Sequence, residues 1–477
     1  SRIAFTRVDE APVGIEERFE VLADEVRTHR QRYPAAGTPN ALVELHVASL
    51  EGGARRKLDL GDDPDVYLAR VAWFPDGRHV AAVRQSRDQR TVDLIRLDVA
   101  TGEGVVLLTE RSETWVELHH DLRFLESEDR FVWGSSRSGF HHLYLYRNDG
   151  TLVRPLTSGA WVVGADGRGP GLQAIDEAGG FVYFVATLDG PTERHLYRSR
   201  LADGARRAPE RLTTRRGWHD VEMSRDGAVY LDTYSSVDVP PSVVLVRTGG
   251  SRIAWIEENA LDPAHPYHPY RDGHGSTEFG TLPASDGQAM HYALLRPADF
   301  DPERTYPVVV AVYGGPGGQR VRNRWSRDMF DQWLVRNGFL VFRLDNRGTG
   351  WRGTAFDVPI HGRLGSIEVE DQARGVAFLR ELPYVAADRI GISGWSYGGT
   401  MALLCATRTP DLYAAAVSGA PVTDWRLYDT HYTERYMGDP GERRDAYDRA
   451  SALTGLDGLT TPLLVVHGMA DDNVLFT

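Results

Sequence analysis

The chain has 477 residues, more than one ordinary domain needs, and two domains are the natural expectation. Its formal net charge of −13 disfavours nucleic acid and anionic membrane surfaces as partners. Its single cysteine, Cys405, excludes an internal disulfide, and the sequence contains no apolar run long enough to predict a membrane-spanning helix.

The first half of the chain, residues 1–257, has the pattern of an all-β domain. Strand-like segments recur at 2–6, 78–83, 130–134, 181–185 and 228–232. From the second onward the interval is roughly 50 residues, a period typical of propeller blades. Asp-Gly pairs that fit hairpin turns stand at 76–77, 149–150 and 226–227. The repeat favours a β-propeller of about five blades over a β-sandwich.

Residues 8–40 break this period and are predicted to form an insertion with charged, partly helical character. The chain starts within a strand-like segment, without an initiating methionine, and stops just after an apparent catalytic loop. We therefore expect it to be a piece of a longer protein whose further strands, before residue 1, close the propeller. The sequence assigns no compartment.

The second half, residues 258–477, alternates strands with helices. Predicted strands lie at 306–312, 339–342, 389–393, 414–417 and 462–466, and a helix is predicted at 367–382. This alternation predicts an α/β domain with a doubly wound, mostly parallel sheet.

Residues 394–398 read Gly-Trp-Ser-Tyr-Gly, between the strand at 389–393 and an apolar helix that begins near residue 400. This context is what the nucleophile elbow of an α/β-hydrolase requires, because so tight a turn needs residues without bulk near the serine, which explains the glycines. Ser396 is therefore the candidate nucleophile.

A serine hydroxyl needs a base, and the base needs an orienting acid; in this fold the chain order is Ser, acid, His. Asp471 and Asp472 follow the strand at 462–466, so one of them is predicted to be the acid. None of the six residues after Asp471 is histidine. His467 precedes the acid and is assigned a structural role, so the chain offers no credible general base.

Negative charge that develops on the substrate carbonyl needs an oxyanion hole. The N–H of Tyr397, directly after the nucleophile, is one predicted donor. The second is expected from residues 313–318, as the Tyr313 hydroxyl or a backbone N–H, unless this segment is only a glycine turn.

Aromatic residues recur at helical spacing in Trp425, Tyr428, Tyr432 and Tyr436. Such a stripe is typical of a core. Because it follows a sheet strand on the catalytic side, it is also a candidate wall for a flat apolar specificity pocket.

Residues 394–399, 432–438 and 467–474 together resemble the dipeptidyl peptidase IV branch of the prolyl oligopeptidase family of serine peptidases. In the first half, residues 114–119 and 141–146 are similar to propeller blades of bacterial members. The resemblance implies a β-propeller joined to an α/β-hydrolase domain. It also implies an exopeptidase that removes dipeptides from free N-termini after proline or alanine, and a homodimer.

The resemblance assigns roles to individual residues. Ser396 is the implied nucleophile and Asp471 the triad acid, while the Tyr313 hydroxyl and the Tyr397 N–H stabilise the oxyanion. Asn473 holds the carbonyl between the first two substrate residues. The implied proline pocket is lined by Val422, Trp425, Tyr428, Tyr432, Tyr397 and Val474.

Two departures limit the resemblance. The family's catalytic histidine would lie beyond residue 477. The pattern around the paired glutamates that clamp the substrate ammonium is absent, and Glu16-Glu17 lacks its sequel, so we expect the clamp before residue 1.

Rival interpretations are a tripeptidyl or acylaminoacyl peptidase of the same family and a non-catalytic binding module. A binding module is disfavoured because the serine and the acid are both retained. An esterase or lipase is disfavoured by the propeller and by Asn473. The sequence has no metal cluster, phosphate loop or haem motif, so no cofactor and no metal are expected.

Overall fold

The computed structural model describes residues 1–53, 55–127, 129–164, 169–326 and 328–476. In chain order the strands of the first half are β1 (Arg2–Asp9), β2 (Ile15–Val21), β3 (Val26–Arg32), β4 (Leu42–Ser49), β5 (Arg56–Leu58), β6 (Val66–Trp73), β7 (His79–Ser86), β8 (Thr91–Asp98), β9 (Gly104–Arg111), β10 (Leu122–Phe124), β11 (Arg130–Ser135), β12 (His142–Arg147), β13 (Leu152–Pro155), β14 (Leu172–Asp176), β15 (Phe181–Ala186), β16 (His195–Arg200), β17 (Glu210–Arg211), β18 (Trp218–Met223), β19 (Val229–Ser236), β20 (Val239–Arg247) and β21 (Arg252–Glu257).

These strands form the antiparallel blades of a β-propeller. Four consecutive blades have four strands each, β6 to β9, β10 to β13, β14 to β17 and β18 to β21, and a three-stranded blade has the order β1-β4-β5. The segments predicted at intervals of roughly 50 residues are β7, β11, β15 and β19, the second strand of each four-stranded blade. The prediction of about five blades therefore agrees with the described strands.

The insertion at residues 8–40 is a β-hairpin, so its predicted partly helical character is wrong. Strands β2 and β3, hereafter the arm, pair antiparallel from Ile15 opposite Arg32 to Val21 opposite Val26. Opposite charges that are far apart in sequence meet across the hairpin, as in the 3.1 Å pair of Glu17 and Arg30. Such cross-strand pairs stabilise a hairpin, whereas a helix would bring together only residues three or four apart.

The second half is built on a seven-stranded sheet. Its strands are β22 (Ser276–Pro283), β23 (Ala289–Arg296), β24 (Tyr306–Ala311), β25 (Leu340–Leu344), β26 (Val385–Trp395), β27 (Ala415–Gly419) and β28 (Leu463–Val466). The sheet order is β22-β23-β25-β24-β26-β27-β28. The pairs β22–β23 and β23–β25 are antiparallel. The pairs β25–β24, β24–β26, β26–β27 and β27–β28 are parallel, so the sheet is the mixed sheet of an α/β-hydrolase.

Helices cover both faces of this sheet. They are α1 (Phe330–Arg336), α2 (Thr354–Asp357), α3 (Ile367–Glu381), α4 (Tyr397–Arg408), α5 (Thr430–Met437) and α6 (Arg444–Ala450). Short 3-10 helices span Gly204–Arg206, His268–Gly273, Val358–Ile360, Pro410–Leu412, Trp425–Leu427 and Leu456–Gly458. Val308 and Val310 of β24 pack into the core that includes α3 and α4, whereas Val309 packs toward α1. Alternate residues of one strand thus pack into two cores on opposite faces of the sheet, as expected for a doubly wound sheet.

The boundary predicted at 257/258 falls directly after β21, and the next strand, β22, begins at Ser276. The division into two independently folding domains stays a prediction. Cys405 lies buried on α4, and burial raises the pKa of its thiol to about 12. Among the described residues, no helix is both long and apolar enough to span a bilayer.

A partly buried ion pair joins the propeller to α5. Arg87 donates to both carboxylate oxygens of Glu434, at 2.8 and 2.9 Å, and also contacts Asp65 at 2.8 Å. Glu434 is buried, and its carboxylate raises the pKa of Arg87. The pair therefore fixes the orientation of α5, the helix that carries Tyr432 and Tyr436, against the propeller.

Candidate active site

Ser396 lies at a strained turn between β26 and α4. Its φ of 59° and ψ of −121° put a residue with a side chain in a region that L-residues rarely occupy. The Ser396 N–H donates to Gly419 O of β27 at 2.8 Å. Strain of this kind persists only where the surrounding structure imposes it, and it is typical of functional sites.

The glycines of the elbow are required by close backbone contacts. A Cβ added to Gly394 would lie 2.3 Å from Gly398 O, and one added to Gly398 would lie 2.4 Å from Val312 O. A Cβ on Gly399 would lie 2.1 Å from Gly419 O. Helix α4 therefore begins in direct contact with the ends of β24 and β27, which leaves Ser396 at the tip of the turn.

The segment after β24 lies against the residue that follows the serine. A Cβ on Gly315 would be 2.6 Å from Cγ of Tyr397, and the Tyr313 and Tyr397 ring centroids are 6.2 Å apart. Buried Asn346, which the sequence analysis did not identify, donates to Gly314 O at 3.0 Å. The two predicted oxyanion donors, the Tyr313 hydroxyl and the Tyr397 N–H, thus belong to neighbouring segments.

Replacing Tyr313 with phenylalanine is expected to lower kcat by about 10²- to 10³-fold, with a small change in KM. The reason is that a preorganised oxyanion donor acts mainly in the transition state. Steady-state kinetics of the full-length protein on a dipeptidyl amide, the substrate type that the resemblance implies, measures both constants. An unchanged kcat would exclude the Tyr313 hydroxyl as a donor.

The Tyr397 side chain is anchored beneath the elbow by an acid that the sequence analysis missed. Its hydroxyl donates to Glu368 Oε1 at 2.6 Å, and both residues are buried. Burial raises the pKa of Glu368 to about 7, since the carboxylate loses its hydration. The only sequence signal was an acidic residue on the buried side of the predicted helix at 367–382.

Replacing Glu368 with glutamine is expected to stabilise the protein at pH 8 but not at pH 4. The folded state holds the Glu368 proton up to about pH 7, while the unfolded chain releases it near 4.5. Wild-type stability therefore falls as the pH rises between these values, by on the order of 3 kcal/mol. Denaturant unfolding of both proteins at the two pH values measures this, and a pH-independent difference would contradict it.

Residues 468–474, hereafter the acid turn, follow β28. Asp471 Oδ1 accepts from the N–H groups of Asn473 and Val474, both at 3.0 Å. Asp471 Oδ2 lies 3.7 Å from His467 Nε2, but that nitrogen donates to Val474 O at 2.8 Å. His467 thus closes the acid turn, in agreement with its predicted structural role, while the Asp472 side chain is exposed.

No described histidine hydrogen-bonds Ser396 Oγ or Asp471. The catalytic histidine expected beyond residue 477 stays a prediction.

The aromatic stripe does not lie on one helix, which corrects the sequence interpretation. Trp425 starts a 3-10 helix, Tyr428 is extended, and a new helix, α5, begins after Asp429. The Asp429 side chain accepts from the Tyr432 N–H at 2.9 Å. An N-cap of this kind begins a helix, so the helical spacing does not continue through it.

The aromatic rings nevertheless form one cluster beside the elbow. Ring centroids are 5.3 Å apart for Tyr397 and Trp425, 6.0 Å for Trp425 and Tyr432, and 5.4 Å for Tyr428 and Tyr432. Buried Val422 and Val474 belong to the same core cluster. The ring contacts thus bring four of the six predicted pocket residues together, and Val422 and Val474 are buried in the same large core.

Asn473 joins this cluster to the acid turn, because the Tyr428 hydroxyl donates to its Oδ1 at 3.2 Å. Glu16 and Glu17 are not a joint clamp. As neighbours on β2 they point to opposite faces, and Glu17 is paired with Arg30. Among the described residues, no group of three or more His, Cys, Asp or Glu side chains is arranged to hold a metal ion.

A nucleophile elbow on a doubly wound sheet, joined to a propeller, defines the class of α/β-hydrolases that carry a β-propeller. Family models agree with this class: that of the dipeptidyl peptidase IV N-terminal region matches residues 1–241, and that of the prolyl oligopeptidase family matches residues 325–477. The chain belongs to the prolyl oligopeptidase family of serine peptidases, in its dipeptidyl peptidase IV branch.

Several relatives resemble the chain over nearly its whole length. The crystal structure of Porphyromonas gingivalis dipeptidyl peptidase 4 superposes with a TM-score of 0.91 at 32% identity, covering 99% of this chain and 66% of that one. "Probable dipeptidyl-aminopeptidase B" of Aspergillus oryzae is 33% identical over 97% of this chain and 51% of its own length. Mouse dipeptidyl peptidase 8 is 29% identical over all of this chain and 60% of its own. The chain thus spans about half to two thirds of the length of these relatives.

Proposed function

We propose that the full-length protein is a serine exopeptidase that releases Xaa-Pro or Xaa-Ala dipeptides from free N-termini. The observation that carries the proposal is the strained Ser396 elbow with an aromatic cluster beside it, to which the acid turn is hydrogen-bonded. Family membership supports the serine peptidase chemistry, and the names of the relatives support dipeptide release.

In the proposed reaction Ser396 Oγ attacks the carbonyl carbon after the second substrate residue and loses its proton to a general base. The Tyr397 N–H and the Tyr313 hydroxyl stabilise the oxyanion. The amine leaves with a proton from the base, and water then hydrolyses the acyl-enzyme. Asp471 is preferred over Asp472 as the orienting acid, because it is half-buried while Asp472 is exposed.

The aromatic cluster is proposed to select proline or alanine. Rings of Trp425, Tyr428 and Tyr432 pack against one another at 5.4 to 6.1 Å, which leaves rigid, apolar walls for a compact side chain. Asn473 is proposed to hold the carbonyl between the first two substrate residues. Since its Oδ1 accepts from Tyr428, its Nδ2 remains to donate.

The test is hydrolysis of a Gly-Pro chromogenic amide by the full-length protein, beside the same amide with an acylated N-terminus. Cleavage of the free form only is the expected result. Preference for the blocked form would move the assignment to an acylaminoacyl or endopeptidase relative. Release of tripeptides, and not dipeptides, from longer amides would move it to a tripeptidyl peptidase.

A homodimer, implied by the family resemblance, is also proposed. The outer face of the arm carries exposed apolar side chains, among them Ile15, Phe19 and Val21. Sedimentation velocity of the full-length protein tests the dimer, and a monomer at micromolar concentration would contradict it.

A further inference from the structure

The arm of the propeller half contacts the acid turn of the hydrolase half. Arg18 Nη1 donates to Ala470 O at 2.8 Å, and Gln31 Nε2 donates to Asp472 O at 3.0 Å. The Tyr33 hydroxyl, directly after the arm, donates to Asn473 O at 2.9 Å. Three side chains thus hold three carbonyl groups on either side of Asp471.

These donors are themselves ordered. Arg18 Nε donates to Gln31 Oε1 at 2.9 Å, because the two residues are diagonal neighbours on one face of the hairpin. Both side chains are partly buried, whereas Glu17 and Arg30 on the other face are exposed. Tyr33 is buried, and burial raises the pKa of its hydroxyl, so the group stays protonated as a donor.

The chain that follows the arm is bonded to the aromatic cluster as well. The Ala36 N–H donates to Tyr428 O at 2.9 Å, and the Thr430 N–H donates to Pro34 O at 2.8 Å. One continuous stretch of the propeller half, residues 18–36, therefore contacts both the acid turn and the segment that carries the pocket tyrosines.

The acid turn is also held from the hydrolase half. It follows β28, which pairs with β27. The Tyr428 hydroxyl donates to Asn473 Oδ1 at 3.2 Å, and Val474 is buried. Within the turn the bonds are those that Asp471 and His467 make to residues 473 and 474 and the 3.1 Å bond from the Asp471 N–H to Gly468 O. These bonds set the shape of the turn, and the three arm contacts join the turn to the propeller half.

We propose that Arg18, Gln31 and Tyr33 are positioning residues, which hold Asp471 and Asn473 at the distance from Ser396 that catalysis needs. The inference rests on the proposed function. A displacement of about 1 Å at a reacting group costs up to about 10²-fold in rate. A displaced acid also stabilises the imidazolium of the general base less, so the pKa of that base falls.

The experiment compares Arg18→Ala, Tyr33→Phe and the double variant with wild type in the full-length protein. Arg30→Ala is the matched control, because it removes the same charge from the exposed face of the arm, where Arg30 contacts Glu17 at 3.1 Å. Active sites are counted by titration with a fluorophosphonate, so that kcat refers to folded enzyme. The substrate is the Gly-Pro amide, assayed from pH 5 to 9.

We expect kcat per active site to fall about tenfold in each single variant and more in the double variant. The acidic limb of the kcat/KM profile should move to lower pH in the variants and stay in place in Arg30→Ala. A merely structural contact would lower the number of titrated sites but leave kcat and the profile unchanged, and that result would overturn the inference. If the fluorophosphonate labels the wild-type protein but this protein does not cleave the Gly-Pro amide, the proposed function is contradicted. The inference, which rests on that function, is then contradicted as well.

Discussion

Replacing Ser396 with alanine in the full-length protein is expected to lower kcat on a Gly-Pro amide by about 10⁶-fold, to the background rate. The loss is this large because the hydroxyl oxygen forms the acyl-enzyme bond, and no other group at the elbow can replace it. Folding should be unaffected. Alanine bears the same Cβ as serine, so the strain at φ 59° is unchanged, and the Ser396 N–H bond to Gly419 O is a backbone contact.

The matched control is Ser393→Ala, three residues earlier on β26, where the backbone carbonyl accepts from Val312 at 2.9 Å. This variant should keep activity within a few fold of wild type. Near-UV circular dichroism and thermal unfolding verify that both variants fold. Residual turnover of Ser396→Ala close to the wild-type rate would show that another residue is the nucleophile.

Asp471→Asn is expected to lower kcat by about 10⁴-fold, since an uncharged partner no longer orients the base or stabilises its imidazolium. Asparagine is the cleanest replacement at this position. Its Oδ1 can still accept from the Asn473 and Val474 N–H groups, so the acid turn keeps its shape. The KM should change little, because Asn473 and the aromatic cluster stay in place.

Asp472→Asn is the control for Asp471→Asn, because it removes the same charge from an exposed side chain one residue away. We expect it to keep activity within about twofold. Equal losses of kcat in the two variants would mean that catalysis depends on the negative potential of the loop and not on one positioned acid. A loss confined to Asp472→Asn would reverse the assignment.

The parts of this protein that sequence predicts are those that local chemistry determines. The elbow can be predicted because the turn has no room for side chains at positions 394, 398 and 399, which leaves a pattern of glycines within six residues. The blades can be predicted from the sequence because each repeats one hairpin pattern at nearly constant spacing.

Other features depend on contacts between distant segments, which a single sequence does not display. The charged sequence of the arm suggested partly helical character. Its strand pairing depends on cross-strand contacts such as that between Glu17 and Arg30, which only the structure shows. The aromatic stripe has helical spacing, but the Asp429 cap interrupts it. Glu368 and Asn346 were missed because their partners, Tyr397 and Gly314, lie about 30 residues away, and Tyr33 because its partner is 440 residues away.

Active-site labelling of the full-length protein with a fluorophosphonate, followed by peptide mass spectrometry, identifies the nucleophile directly. We expect one phosphonylated residue, Ser396, and no labelling of Ser396→Ala. Prior incubation with a Gly-Pro substrate should slow the labelling. A label on a different residue, or an active protein whose Ser396 stays unmodified, would contradict the claim that the elbow serine is the nucleophile.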